Sequence, residues 1–242
     1  MELTFLGTRA NIAESNRQHR RHSVLLVEHL GQRVLIDCGR DWLHLHRRLR
    51  PDAIVLTHAH PDHVLGLRQG ASCPVYATAA TWKQIHRFPI DDRNRLRVGE
   101  PVSVCGLWFE AFAVDHSLRA PAVGFRVSDE TATVFYCPDL ARIRRRHAAL
   151  TGIAAYIGDG ATISRPILKK RDGALIGHAS IRTQLDWCRR ERVERAIFTH
   201  CGKGILRMEG VEIRALLNEL SREFSLAVEI ATDGLQFRTP PT

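Results

Sequence analysis

Short apolar runs rich in β-branched residues recur along the chain, bounded by turn-forming positions. They predict strands over residues 3–6, 23–28, 33–36, 53–56, 74–76, 108–114, 122–127, 133–136, 154–157, 196–198, 227–230 and 235–238. Between them, apolar residues spaced three to four apart predict helices over 41–50, 79–86, 140–149, 180–192 and 210–224. In the segment 180–192, Ile181, Leu185 and Cys188 fall on one face of an amphipathic helix. One group of strands precedes residue 114 and a second follows it, with helices in each half. Layered packing, two sheets inside and helices outside, buries the apolar faces of such a pattern. No linker-like stretch or short-period repeat divides residues 1–242, so one domain is expected.

Composition narrows the class. With 242 residues, 44% hydrophobic and 25% charged, the chain can bury a substantial core and does not read as disordered. No apolar run approaches the ~18 residues that span a bilayer. Met1-Glu2-Leu3-Thr4 lacks the basic start of a secretory signal, so a soluble, cytoplasmic protein without membrane partners is expected. Cys38, Cys73, Cys105, Cys137, Cys188 and Cys201 form no Cys-x-x-Cys pair and read as reduced core thiols rather than a disulfide frame. The net charge of +9 is concentrated at 17–22, 47–50, 142–147 and 165–171. Such patches suit anionic substrates or RNA, and equally an ordinary solvated surface.

The candidate chemistry is concentrated in Thr57-His58-Ala59-His60-Pro61-Asp62-His63, directly after the apolar run Ala53-Ile54-Val55-Leu56. Imidazole and carboxylate are ligands for divalent zinc, manganese or iron, and this loop carries more donors than a single ion needs. A chain with 13 His can produce a histidine-rich turn by chance. Three further strand ends argue against that: 108–114 runs into Asp115-His116, 133–137 into Pro138-Asp139, and 195–199 into His200. Loops at strand ends are where a rigid sheet positions binding residues. His58, His60, Asp62, His63, His116, Asp139 and His200 are enough donors for two metals sharing a carboxylate and a water.

His58-x-His60-x-Asp62-His63, followed in order by His116, Asp139 and His200, resembles the metallo-β-lactamase superfamily. Gly7-Thr8 and Leu35-Ile36-Asp37-Cys38-Gly39 extend the resemblance over nearly the whole chain. It implies an α/β fold, a four-layer αββα sandwich in a single domain, with the site at one edge between the sheets. It also implies that His58, His60 and His116 hold a first metal, that Asp62, His63 and His200 hold a second, that Asp139 bridges them, and that Asp37 braces the metal loops. Gly177-His178-Ala179-Ser180 is similar to the Gly-His-Ser/Thr motif of the branch containing tRNase Z and the cyclic phosphodiesterase of phosphonate breakdown, whose histidine faces the scissile phosphate. A histidine at the start of the 180–192 helix would sit where backbone N–H groups favour an anion, or would merely cap that helix. There is no room for the inserted arm of long-armed tRNase Z enzymes. Residues 9–22 lack the cysteine-bearing zinc loop of the phosphonate enzyme. Ile157-Gly158-Asp159-Gly160 is similar to the coenzyme-PQQ biosynthesis protein, which typically lacks parts of the metal set complete here.

The expected function is hydrolysis of a small or cyclic phosphodiester by water shared between two divalent ions, zinc or manganese or iron. Asp62 would orient that water, and His178 would stabilise the phosphoryl oxygens or protonate the leaving group. Competing readings are an RNA-processing nuclease, a carboxylic ester, lactone or thioester hydrolase, a PQQ-biosynthesis-like protein, and a catalytically silent metal- or nucleic-acid-binding protein. Arg142-x-Arg144-Arg145-Arg146 and Lys169-Lys170-Arg171 could meet an RNA backbone, and Lys203 an anionic substrate. Dimers are common in the branch the chain resembles, so a homodimer is within expectation.

Overall fold

Strand β1 (Glu2–Gly7) alternates half-buried and buried positions, as a strand with one face on a core does. In the computed structural model, which describes residues 1–240, it pairs antiparallel with β2 (Val24–His29), and β2 with β3 (Gln32–Ile36). Parallel strands β4 (Ala53–Val55), β5 (Val75–Thr78) and β6 (Arg93–Leu96) continue the sheet, with the short helices α1 (Pro61–Val64) and α2 (Ala79–Gln84) between them.

The second sheet is built from β7 (Val102–Val104), β8 (Leu107–Asp115), β9 (Ala122–Ser128), β10 (Thr133–Tyr136), β11 (Arg142–Ile143) and β12 (Ala155–Asp159). A helix, α3 (Arg146–Leu150), precedes β12, and a separate hairpin of β13 (Ile167–Arg171) and β14 (Ala174–His178) follows it. The chain then runs through α4 (Ile181–Arg190), β15 (Arg195–Thr199), α5 (Lys203–Leu206), α6 (Gly210–Phe224), β16 (Ala227–Ile230) and β17 (Gln236–Arg238). The first sheet has the order β17-β1-β2-β3-β4-β5-β6 and the second β11-β8-β9-β10-β12-β15-β16, with β7 against β8.

Phe5, Val27, Ile36 and Val55 of the first sheet meet Phe109, Phe125, Tyr136 and Ile157 of the second in one buried core. The outer face of the first sheet is covered by Trp42, Leu67 and Ile85, that of the second by Leu185, Leu220 and Phe224. The layers are therefore αββα. Phe125 is wholly buried between the sheets, so Phe125→Ala is expected to cost about 3–5 kcal/mol, read as a lower urea midpoint at unchanged slope.

Three expectations need correction. The predicted 41–50 helix is two 3₁₀ turns, Arg40–Trp42 and His46–Leu49, because His44 at φ 66° breaks the helix. The predicted 140–149 helix is β11 followed by α3. The Arg142 and Arg144 guanidinium groups reach the buried Asp115 carboxylate, at 2.6 and 3.0 Å, and Arg142 and Ile143 pair with the end of β8. The two sheets divide near residue 100 rather than 114, and β17 returns to the first sheet beside β1. All six cysteines are free, four of them buried. No helix among the described residues is long and apolar enough to cross a membrane.

Candidate metal centre

The parallel strands β4, β10, β12 and β15, together with β8, end at one edge of the sandwich, and their following residues converge there. All seven donors named from the sequence are brought together. His58, His60, His116 and Asp139 each offer a ligand atom within 4.8 Å of the others, and Asp62, His63, Asp139 and His200 form a second such group. Asp139 belongs to both: its Oδ2 lies 3.3 Å from His58 Nε2 and 3.1 Å from His63 Nε2.

The loops carrying these groups are fixed from behind. Asp37, at φ 66°, accepts hydrogen bonds from the Thr57 amide at 2.8 Å and from its hydroxyl, and contacts His63 Nδ1 at 2.8 Å. His63 therefore turns Nε2 toward the cluster. Thr57 Oγ1 lies 3.0 Å from His58 Nδ1, and the Gly177 carbonyl 3.1 Å from His116 Nδ1, so the outer nitrogens have partners and both Nε2 atoms point inward. Gly39 allows the α1 turn to close on this base: a Cβ there would lie 2.0 Å from the Asp62 carbonyl oxygen. His200 is held at φ 54°, a left-handed conformation costly for a residue with a side chain.

His178 is the point at which the structure departs from the sequence reading. It ends β14 and does not open a helix. Ser180 caps α4, accepting from the Thr183 amide. The histidine is held instead by a carboxylate, with Nδ1 2.8 Å from Asp159 Oδ2 and 3.2 Å from Asp139 Oδ1. Asp159 is the site residue that sequence reasoning missed. Its signal was the one used for the others, a carboxylate at the end of an apolar strand. Gly177, at φ +113°, makes the approach possible, since a Cβ there would meet the Ile167 carbonyl at 1.9 Å.

The electrostatics divide the cluster. Burial, reinforced by the neighbouring imidazoles, pushes His58 well below its ordinary value; burial also lowers His60, to about 4. Both are therefore neutral imidazoles with lone pairs facing inward. On the other side burial also pulls His178 and His200 down, but the carboxylates outweigh it. Asp159 chiefly raises His178 to about 11, and Asp139 chiefly raises His200 to about 9. Asp37, Asp62, Asp139 and Asp159 are all buried, and so many carboxylates require compensating positive charge. Asp62 Oδ1, His63 Nε2, Asp139 Oδ1 and His200 Nδ1 are buried with no hydrogen-bond partner among the described residues. Buried polar atoms are normally satisfied. Unpartnered donor atoms of metal-binding type, facing one another, fit divalent cations.

Residues 32–201 match the family described as the Beta-lactamase superfamily domain. The chain belongs to this superfamily. Among curated members, Ribonuclease Z of Bradyrhizobium sp. (strain ORS 278) is 45% identical over 146 residues, 56% of this chain and 44% of that protein. The chain thus spans less than half the length of that relative. Among solved structures, the metallo-beta-lactamase fold protein YhfI from Bacillus subtilis superposes with a TM-score of 0.77 at 18% identity, covering 98% of both chains. A diphosphatase from the PhnP family superposes at 0.71 and 20% identity, covering 99% of this chain and 98% of that one. These likenesses establish the superfamily fold for the whole sandwich.

The basic runs differ in character. Arg142 and Arg144 are tied to Asp115, and Arg146 and His147 to Glu191. In β13, Lys169, Lys170 and Arg171 are exposed. Lys203 lies beside the site, 3.4 Å from Glu14.

Proposed function

We propose that the chain is a dinuclear metal-dependent phosphodiesterase. The observation that carries this reading is the pair of donor sets sharing Asp139, with the carboxylate-held His178 beside the shared residue. His58, His60 and His116 would hold one ion, Asp62, His63 and His200 the other, and Asp139 both. Zinc and manganese suit these donors. Bound there, the ions supply Lewis acidity that polarises a phosphoryl group and acidifies water.

The chain's own residues do the rest. Asp62 Oδ1, buried and unpartnered, accepts a hydrogen bond from the attacking water and fixes its orientation. His178 has Nδ1 committed to Asp159, which leaves Nε2 to donate a proton to the departing oxygen. The relatives support attack on phosphorus: one is named Ribonuclease Z and one a diphosphatase. An RNA substrate is the second reading, favoured by the Ribonuclease Z match and by the exposed Lys169, Lys170 and Arg171.

The test is metal analysis of purified protein together with turnover of bis(4-nitrophenyl) phosphate. Two ions per chain are expected, with turnover lost on chelation and restored by zinc or manganese. Two bound ions with hydrolysis of a lactone or thioester, and none of any phosphodiester, would overturn the proposal.

A further inference from the structure

A cavity of about 590 Å³ opens beside the donor cluster, a size typical of small-molecule sites. His178 and His200 form its inner wall, and Ile12, Ile163, Ile167 and Ile205 line much of the remainder. These isoleucines come from separate segments: the loop after β1, the loop after β12, the start of β13, and α5.

Backbone hydrogen bonds hold the segments that carry Ile12 and Ile163. The Arg182 amide donates to the Ile163 carbonyl at 3.1 Å, and the Ile181 amide to the Thr162 carbonyl at 2.9 Å. The Ala10 amide donates to the Cys201 carbonyl and the Gly202 amide to the Gly160 carbonyl, each at 3.1 Å. The Arg9 guanidinium holds the Ile12 carbonyl. Of the polar groups in the wall, the Thr162 hydroxyl is committed to the Arg165 carbonyl and the Lys203 ammonium lies 3.4 Å from Glu14, while Asn11 and Ser164 stand at other points of the lining.

We infer that this cavity seats an apolar, aryl-sized leaving group, so that the preferred substrate is a small phosphodiester with one such ester rather than a polynucleotide. The inference rests on the phosphodiesterase reading above. A ribose hydroxyl or a second phosphate would lose its water against the isoleucine side of the wall, which offers it no hydrogen bond. An aromatic ring would gain from the same surface. The placement on the leaving-group side follows from His178, which lines the cavity and is the proton donor in that reading.

The test uses metal-loaded protein and two diesters, 1-naphthyl methyl phosphate and 3-pyridyl methyl phosphate. Intrinsic reactivity cancels when wild type and variants are compared as the ratio of the two kcat/KM values. Ile12→Ser and Ile163→Ser are each expected to lower the naphthyl-over-pyridyl ratio about tenfold. Ile163→Val should restore most of it. A second readout needs no turnover: binding of 1-naphthyl phosphate, followed through isoleucine methyl resonances, should weaken about tenfold in the serine variants. An unchanged ratio and unchanged binding overturn the inference. So does a thymidine 5′-ester that is preferred over the naphthyl ester and loses that preference in the same variants. If no phosphodiester is turned over but naphthyl phosphate binding still depends on Ile163, the phosphodiesterase reading falls and the cavity's apolar occupant stands.

Discussion

Replacing Asp139 with alanine is expected to remove both metal ions and turnover together. Oδ2 of Asp139 faces His58, His63 and His116 at 3.3, 3.1 and 3.6 Å, and Oδ1 faces His178 and His200 at 3.2 Å each. No other side chain belongs to both proposed ion sites. Deleting it takes away the one anionic group shared by both donor sets, so neither set keeps its full charge or ligand count for a divalent ion. A fall in kcat/KM of about 10³-fold or more is expected, beyond the ~10–100-fold typical of partners behind a metal ligand. His60 offers a contrast, since it belongs only to the first donor group. His60→Ala should lower metal content from two ions toward one, while Asp139→Ala lowers it toward none. Elemental analysis at matched protein concentration separates the outcomes. Asp139→Asn keeps the shape and guards against misfolding. Asp139→Ala protein with two bound ions would sink the bridging assignment.

The donors were legible because each occupies the same kind of place. His58, His116, Asp139 and His200 each follow an apolar strand, and an apolar strand is the easiest element to read from sequence. Asp159 stands in the same relation to β12, yet its partner is His178, 19 residues away in another element. Pairing across elements is set by packing and leaves no local pattern. The β13–β14 hairpin was invisible for a related reason: β13 is exposed throughout, so it carries no alternation between apolar and polar positions. Segment 41–50 and the first part of 140–149 depart from the expected helices because long-range contacts override helical spacing, while the end of the second segment is helical as α3. In the first, the Trp42 indole N–H donates to the His22 carbonyl. In the second, Asp115 draws Arg142 and Arg144 onto the edge of β8. Local propensity is a weak prior against ion pairs to a buried carboxylate and tertiary hydrogen bonds. The isoleucine-lined cavity was equally out of reach, since its wall is assembled from loops far apart in the chain.

His178→Ala should leave both ions bound and lower kcat by about 10²–10⁴-fold, the range for loss of a positioned proton donor. The reason lies in how the imidazole is held. Asp159 is fully buried, and its Oδ2 accepts from the Leu140 amide at 3.1 Å while meeting His178 Nδ1 at 2.8 Å. Its other oxygen accepts from the Ala161 amide at 2.8 Å. The carboxylate is thus anchored by backbone on both sides and presents one lone pair to the histidine. In the proposed mechanism Asp159 would be a positioning residue, fixing the proton on Nδ1 and directing Nε2 to the substrate. Asp159→Asn should lower kcat by about 10–100-fold with little change in KM. If the two residues act as one unit, the double variant should be no slower than His178→Ala alone. Independent, multiplying losses would mean that Asp159 serves the active site through Leu140 and Asp139 instead. Loss of metal in His178→Ala would make the histidine a ligand rather than the proton donor.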